Sequence, residues 1–110
     1  MGSGPRQVVL TAAAETDLNE IWRWNADHYD RSRADKYTQF LRDSLVAIAA
    51  TARPGKSLPG NSDLRYILLR RKSRGHGHIA VFKPEPSRIV VLQIFHTAQD
   101  WQSEITDVGE

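Results

Sequence analysis

The 110-residue chain contains no cysteine. That absence excludes disulfides and thiolate sites, and an intracellular, cytoplasmic compartment fits it best. No apolar run approaches the ~20 residues of a membrane-spanning helix, and the N-terminus lacks the apolar core of a signal peptide. Repeats and low-complexity segments are missing as well. Acidic residues are absent from positions 64–84, a stretch that carries six basic ones: Arg65, Arg70, Arg71, Lys72, Arg74 and Lys83. Net charge is nevertheless only +2, too small by itself to argue for nucleic-acid binding. What is present is an ordinary globular mixture, 40% apolar and 25% charged, of a length that suits one domain spanning 1–110. Residues 1–6 and 106–110 read as flexible ends.

The densest apolar content lies in residues 64–96. Tyr66-Ile67-Leu68-Leu69, Ile79-Ala80-Val81-Phe82 and Ile89-Val90-Val91-Leu92 are three β-rich runs. Lys72-Ser73-Arg74-Gly75 and Pro84-Glu85-Pro86-Ser87 separate them, and such spacing predicts an antiparallel meander. Upstream, Gln7-Val8-Val9-Leu10 reads as a strand and Thr11 as a helix N-cap. Ala14, Leu18, Ile21, Trp22 and Tyr29 then recur at helical spacing, with Asn25 inside the stripe and Trp24 on its flank. Asp30 or Ser32 suits the cap of a second helix, whose stripe is Ala34, Tyr37, Leu41, Leu45, Ile48, Ala49 and Ala52, with Phe40 on its flank. Arg53-Pro54-Gly55 ends that helix, and residues 56–63 are a loop by composition. Thr97 can cap a last short helix bearing Ala98, Trp101 and Ile105. The expected architecture is two-layer α+β, a helical hairpin packed on a small antiparallel sheet. Its order is β-α-α-β-β-β, followed by a short C-terminal helix.

Few residues group into a recognisable chemistry. No metal motif, phosphate loop or nucleophile elbow is present, so no cofactor is implied. His76 and His78, two apart, read as turn and strand-start histidines. Strict alternation places His96 with Val90, Leu92 and Ile94 on one face of the last strand. There His96 either caps the core edge or serves as a general acid or base. The basic set Arg65, Arg70, Arg71, Lys72 and Arg74 is either a solvated hairpin tip or a docking surface. Arg65, inside a strand, has to reach a partner or water at its tip. Trp24 and Phe40, off their stripes, are candidate contact residues for a binding partner, since Trp is enriched at interface hot spots.

Several segments, in order and spacing, resemble the ParE branch of the RelE/ParE toxin superfamily of bacterial type II toxin–antitoxin systems. They are Leu10-Thr11-Ala12-Ala13-Ala14 leading into Asp17-Leu18-Asn19-Glu20-Ile21, the helix over 34–45, Pro54-Gly55, Leu64-Arg65, Gly77-His78-Ile79-Ala80-Val81-Phe82 and Val91-Leu92-Gln93-Ile94-Phe95-His96-Thr97-Ala98-Gln99-Asp100. The likeness covers roughly residues 8–101. It implies a cytoplasmic toxin, held inactive in a hetero-oligomer with a ParD-like antitoxin, that stops growth by binding DNA gyrase without catalysis. On that reading Trp24 and Phe40 meet the antitoxin, and Arg65, Arg70, Arg71, Lys72 and Arg74 meet the target. The RelE branch implies the alternative, a ribosome-dependent mRNA endoribonuclease using His96 and Arg65. His78 stands where RelE-like nucleases usually carry arginine.

Overall fold

The computed structural model describes residues 6–52, 54–71, 77–99 and 101. The elements are β1 (Gln7–Leu10), α1 (Ala12–His28), α2 (Arg31–Ala49), β2 (Lys56–Leu58), β3 (Asn61–Leu69), β4 (His78–Pro84) and β5 (Arg88–His96). Both helices start where side-chain caps are available. The Thr11 hydroxyl accepts from the Ala14 N–H at 3.2 Å, and the Asp30 carboxylate from the Arg33 N–H at 2.7 Å. Only Tyr29 and Asp30 separate the helices, which forces the antiparallel hairpin. The Trp22 indole N–H donates to Asp35 at 2.7 Å and ties the two together. The second helix stops at Ala49, ahead of Pro54. Arg6 takes up carbonyls at that end, donating to Ala49 O and Thr51 O.

The sheet has five strands in the order β1-β5-β4-β3-β2. The meander β3–β4–β5 is antiparallel, as expected from its turns. Two edge strands complete it, and the first makes the sheet mixed rather than purely antiparallel. One is β1, which pairs in parallel with β5. The other is β2, which forms within the stretch whose composition reads as a loop. Pro59 and Gly60 (φ 83°) close the β2–β3 hairpin, with Pro and Gly at the two central positions a type II turn favours. Gly55 (φ 68°) begins it, and a Cβ there would lie 2.3 Å from the Tyr66 carbonyl oxygen. Of the expected C-terminal helix, Thr97 and Ala98 form a turn and Trp101 is helical, while the remainder lies outside the described residues.

The helices cover one face of the sheet. Leu18, Leu41, Leu45, Phe82, Ile89 and Val91 form the centre of that layer and are essentially solvent-free. Each contributes about 1.5–3 kcal/mol of apolar burial, before entropy is counted. The other face carries a smaller cluster of Leu58, Leu64, Ile79, Val81 and Phe95, with Tyr66, Leu92 and Trp101 packed against it. Central strand β4 is therefore buried on both sides, which explains why it reads as a continuous apolar run.

One irregularity decides the placement of the last strand's side chains. Val81 pairs with Gln93 but Phe82 pairs with Val91, so Leu92 is an extra residue, a β-bulge. Strict alternation is broken there. Ile94 joins Ile89 and Val91 on the helix side, while Leu92 and Phe95 pack on the other. His96, paired with His78, consequently faces the helices together with Ile89 and Val91, the residues alternation sets opposite it. The first helix stabilises the irregularity. Thr11 donates its N–H to Val91 O at 3.1 Å and its hydroxyl to Leu92 O at 2.9 Å. Asp17 accepts the Ile94 N–H at 2.8 Å.

Candidate functional site: a cleft between the first helix and the strand ends

At the end of the sheet where β4 begins and β5 finishes, the helices stand away from the strands. They leave an open cleft of about 720 Å³. Its first wall is one face of α1 (Glu20, Trp24 and Asn25), continued by Tyr29. Its floor is Tyr37 from α2 with His78 and His96 from the paired strand ends. Gln99 closes the far side, accepting the His96 N–H at 2.8 Å.

The floor is a polar cluster inside an apolar frame. The Tyr37 hydroxyl and His78 Nδ1 are 2.5 Å apart. Phenol is the stronger acid of the two, so its hydroxyl donates and the imidazole accepts. Burial pushes the Tyr37 hydroxyl up to about 12, against the opposing pull of the Arg71 charge. Burial above all, and then the neighbouring His96, lower His78 to about 4. At neutral pH, then, Tyr37 keeps its proton and His78 is uncharged. His96 meets His78 edge-on, with ring centroids 5.2 Å apart. The Ala98 N–H donates to His96 Nδ1 at 3.0 Å, which places the proton of neutral His96 on Nε2.

The wall is aromatic. Trp24 is 52% exposed and Tyr29 54%. The His28 ring stacks on Trp24 at 3.9 Å, and Tyr29 meets Trp24 edge-on at 6.0 Å. The Arg33 guanidinium lies 4.4 Å over the Tyr29 ring. Among the described residues, Glu20 is the one carboxylate lining the cleft and no Lys or Arg lines it. No group of three His, Asp or Glu side chains among the described residues is placed to hold a metal ion.

The other residues singled out by sequence lie elsewhere. Phe40 is half-buried against the core, tilted on Tyr37 at 5.9 Å, and borders a separate shallow groove that Arg71 also lines. Arg65 is engaged internally. Its guanidinium donates to Pro54 O (2.6 Å), Gly55 O (2.8 Å) and Ser57 Oγ (3.2 Å), clamping the start of β2. Arg70 and Arg71 are exposed beyond the end of β3; Lys72, Arg74 and His76 lie outside the described residues. Arg65 and His96 are not brought together. Arg65 on β3 pairs with Phe82 of β4, while His96 on β5 pairs with His78 four residues along β4, so the two are two strands apart and offset by roughly 13 Å along them. Sequence reasoning missed Glu20 and took Tyr37 for plain core. The available signal was a tyrosine in an apolar stripe, whose hydroxyl needs a buried partner.

The same fold occurs in solved structures. A chain of the chromosomal ParDE toxin–antitoxin system from P. aeruginosa matches with a TM-score of 0.67 at 19% identity, covering 82% of this chain and 94% of that one. A mutant of the E. coli toxin RelE with two arginines changed to alanine, solved in the free state, matches with a TM-score of 0.58 at 18% identity. That match covers 92% of this chain and 93% of the other. At such identities the likeness establishes the architecture, a helical hairpin on a small sheet as in those toxin structures. The comparison with curated proteins returns no match. The family described as "ParE toxin of type II toxin-antitoxin system, parDE" matches residues 8–101, nearly the whole domain. The chain belongs to this ParE toxin family.

Proposed function

We propose that this type II toxin acts by binding, is neutralised by a ParD-like antitoxin and stops growth by inhibiting DNA gyrase. The observation that carries the proposal is the family match over residues 8–101. The antitoxin docks on the helical hairpin, with exposed Trp24 as an anchor and Phe40 beside the second groove. The exposed Arg70 and Arg71, continued in sequence by Lys72 and Arg74, form the edge that meets the target. Arg65 supports that edge from within by holding the β2–β3 hairpin. Two placements favour binding over ribonuclease chemistry. His96 and Arg65 stand apart, and no described Lys or Arg lines the cleft to receive a scissile phosphate.

The purified chain, incubated with gyrase, ATP and relaxed plasmid, is expected to block supercoiling and to accumulate cleaved DNA. Undiminished supercoiling together with mRNA cut on ribosomes would establish the RelE-like alternative instead. In cells, expression alone is expected to arrest growth, and a ParD-like protein of the same host, coexpressed, to restore it.

A further inference from the structure

The cleft beside α1 combines features that select one kind of occupant. It has exposed aromatic surface on Trp24 and Tyr29 and, among the described residues, one lining carboxylate on Glu20. Its floor carries no positive charge from His78, which is held neutral by burial. An aromatic face attracts a cation, and a guanidinium stacks on it best because it is planar and weakly hydrated. The chain itself shows that preference at the rim, where Arg33 lies over Tyr29. A phosphate or carboxylate entering the cleft would meet Glu20 and find no lining Lys or Arg among the described residues.

The other charged groups near the cleft, among the described residues, have placements of their own. Arg33 occupies the Tyr29 ring, and Arg71, whose charge reaches the Tyr37 hydroxyl, is exposed along the separate Phe40 groove. His28 covers the stacked side of Trp24 and His96 accepts the Ala98 N–H. Among the described residues Glu20 forms no ion pair; the salt bridges found there are Arg42–Glu15 and Arg88–Glu85. The negative end of the α1 dipole, at His28 and Tyr29, adds to the attraction for a cation.

We infer that the cleft is the receptor for a basic side chain, an arginine in preference to lysine, presented by the antitoxin segment, with Trp24 stacking on its guanidinium and Glu20 pairing with it. The inference rests on the antitoxin reading and names the chemistry of the contact. It assigns Trp24 a partner and Glu20 a role. Phe40, in its own groove, belongs to a different part of the same docking surface.

The test uses the full chain labelled with 15N and small probes in place of the antitoxin. N-acetyl-arginine amide is titrated while the indole N–H of Trp24 and the His96 signals are followed. Saturable shifts at both are expected. N-acetyl-citrulline amide, isosteric but neutral, is expected to bind at least about tenfold more weakly, and Glu20→Gln to cost about tenfold for the arginine probe alone. Glu20 is exposed on its helix, so Glu20→Gln is expected to keep the wild-type spectrum elsewhere. Equal binding of the two amides, no shift at Trp24, or stronger shifts with adenosine monophosphate would each overturn the inference. The antitoxin reading is scored separately by growth rescue: rescue that survives Glu20→Gln while the probes fail removes only the arginine receptor. Arginine binding without rescue removes the antitoxin reading.

Discussion

His78 shows how one buried side chain couples the site to stability. Above pH 6.5 it is neutral in both folded and unfolded chains, and its environment adds no pH dependence. As pH falls from about 6.5 the unfolded chain takes up a proton, while the folded one resists until about 4. Stability is therefore lost across that window, on the order of 3 kcal/mol in all. His78→Asn keeps an acceptor for the Tyr37 hydroxyl but cannot titrate. Urea midpoints measured at pH 7.5 and 4.5 are expected to differ less in this variant than in the wild type. An equal difference would assign the acid sensitivity to other groups. Arg65 makes a separate case. Its three donors hold Pro54, Gly55 and Ser57, so Arg65→Ala is expected to cost about 1–3 kcal/mol in denaturant unfolding. Arg65→Lys should recover little of that, because lysine lacks the planar fork. Trp24 and Phe40 should part company. Trp24→Ala is expected to weaken antitoxin binding by about 1 kcal/mol or more with stability intact. Phe40→Ala is expected to lower both, being half-packed on the core. Calorimetry of the complex and thermal unfolding of the free chain check the pair.

Among the elements, β5 is where local sequence and tertiary structure diverge. Its apolar run announces a strand, yet period-2 alternation misplaces His96, because a bulge adds Leu92 between Val91 and Gln93. The bulge leaves backbone groups on an edge that β1 no longer covers. Thr11 and Asp17, one residue before α1 and one turn and a half into it, bond to them. Asp17→Ala is expected to cost about 1–3 kcal/mol, since it leaves the part-buried Ile94 N–H without its acceptor. Asp17→Asn, which retains an oxygen at that position, is expected to recover most of it. If amide exchange at Ile94 is unchanged in Asp17→Ala, the first helix does not secure the bulge. The β2 strand differs for a related reason. Its composition is that of a loop, but the edge of β3 offers unpaired backbone, and Gly55, Gly60 and Arg65 bend the chain onto it.

For the whole molecule, the helical layer and the meander were legible because each rests on local periodicity: 3.6-residue stripes, two helix caps and three β-rich runs. Family membership was legible for a similar reason, as short segments in a set order over residues 8–101. The cleft was not. It arises where the hairpin, anchored by the Trp22–Asp35 bond and the α1 caps, diverges from the strand ends carrying His78 and His96. Its residues come from positions 20 to 99, and nothing local announces their meeting. The gyrase experiment belongs to this scale. A toxin that works by binding presents a whole surface to its target, so reversing charge at both Arg70 and Arg71 is expected to reduce gyrase inhibition more than tenfold. Circular dichroism is expected to stay unchanged, because both side chains are exposed. Full inhibition by that variant would move the target contact away from the basic edge.

By itself the sequence determined the two long helices and four of the five strands, where both helices begin, that the helices form a hairpin, and which family the chain joins. All of these depend on residues close together in the chain. The tertiary structure alone decided the parallel β1–β5 pairing, the fifth strand, the face on which His96 lies, the internal use of Arg65 and the meeting of the cleft residues. Each of those depends on which backbone edge or charge comes near from a distant part of the chain, and no spacing rule along one strand or helix carries that information.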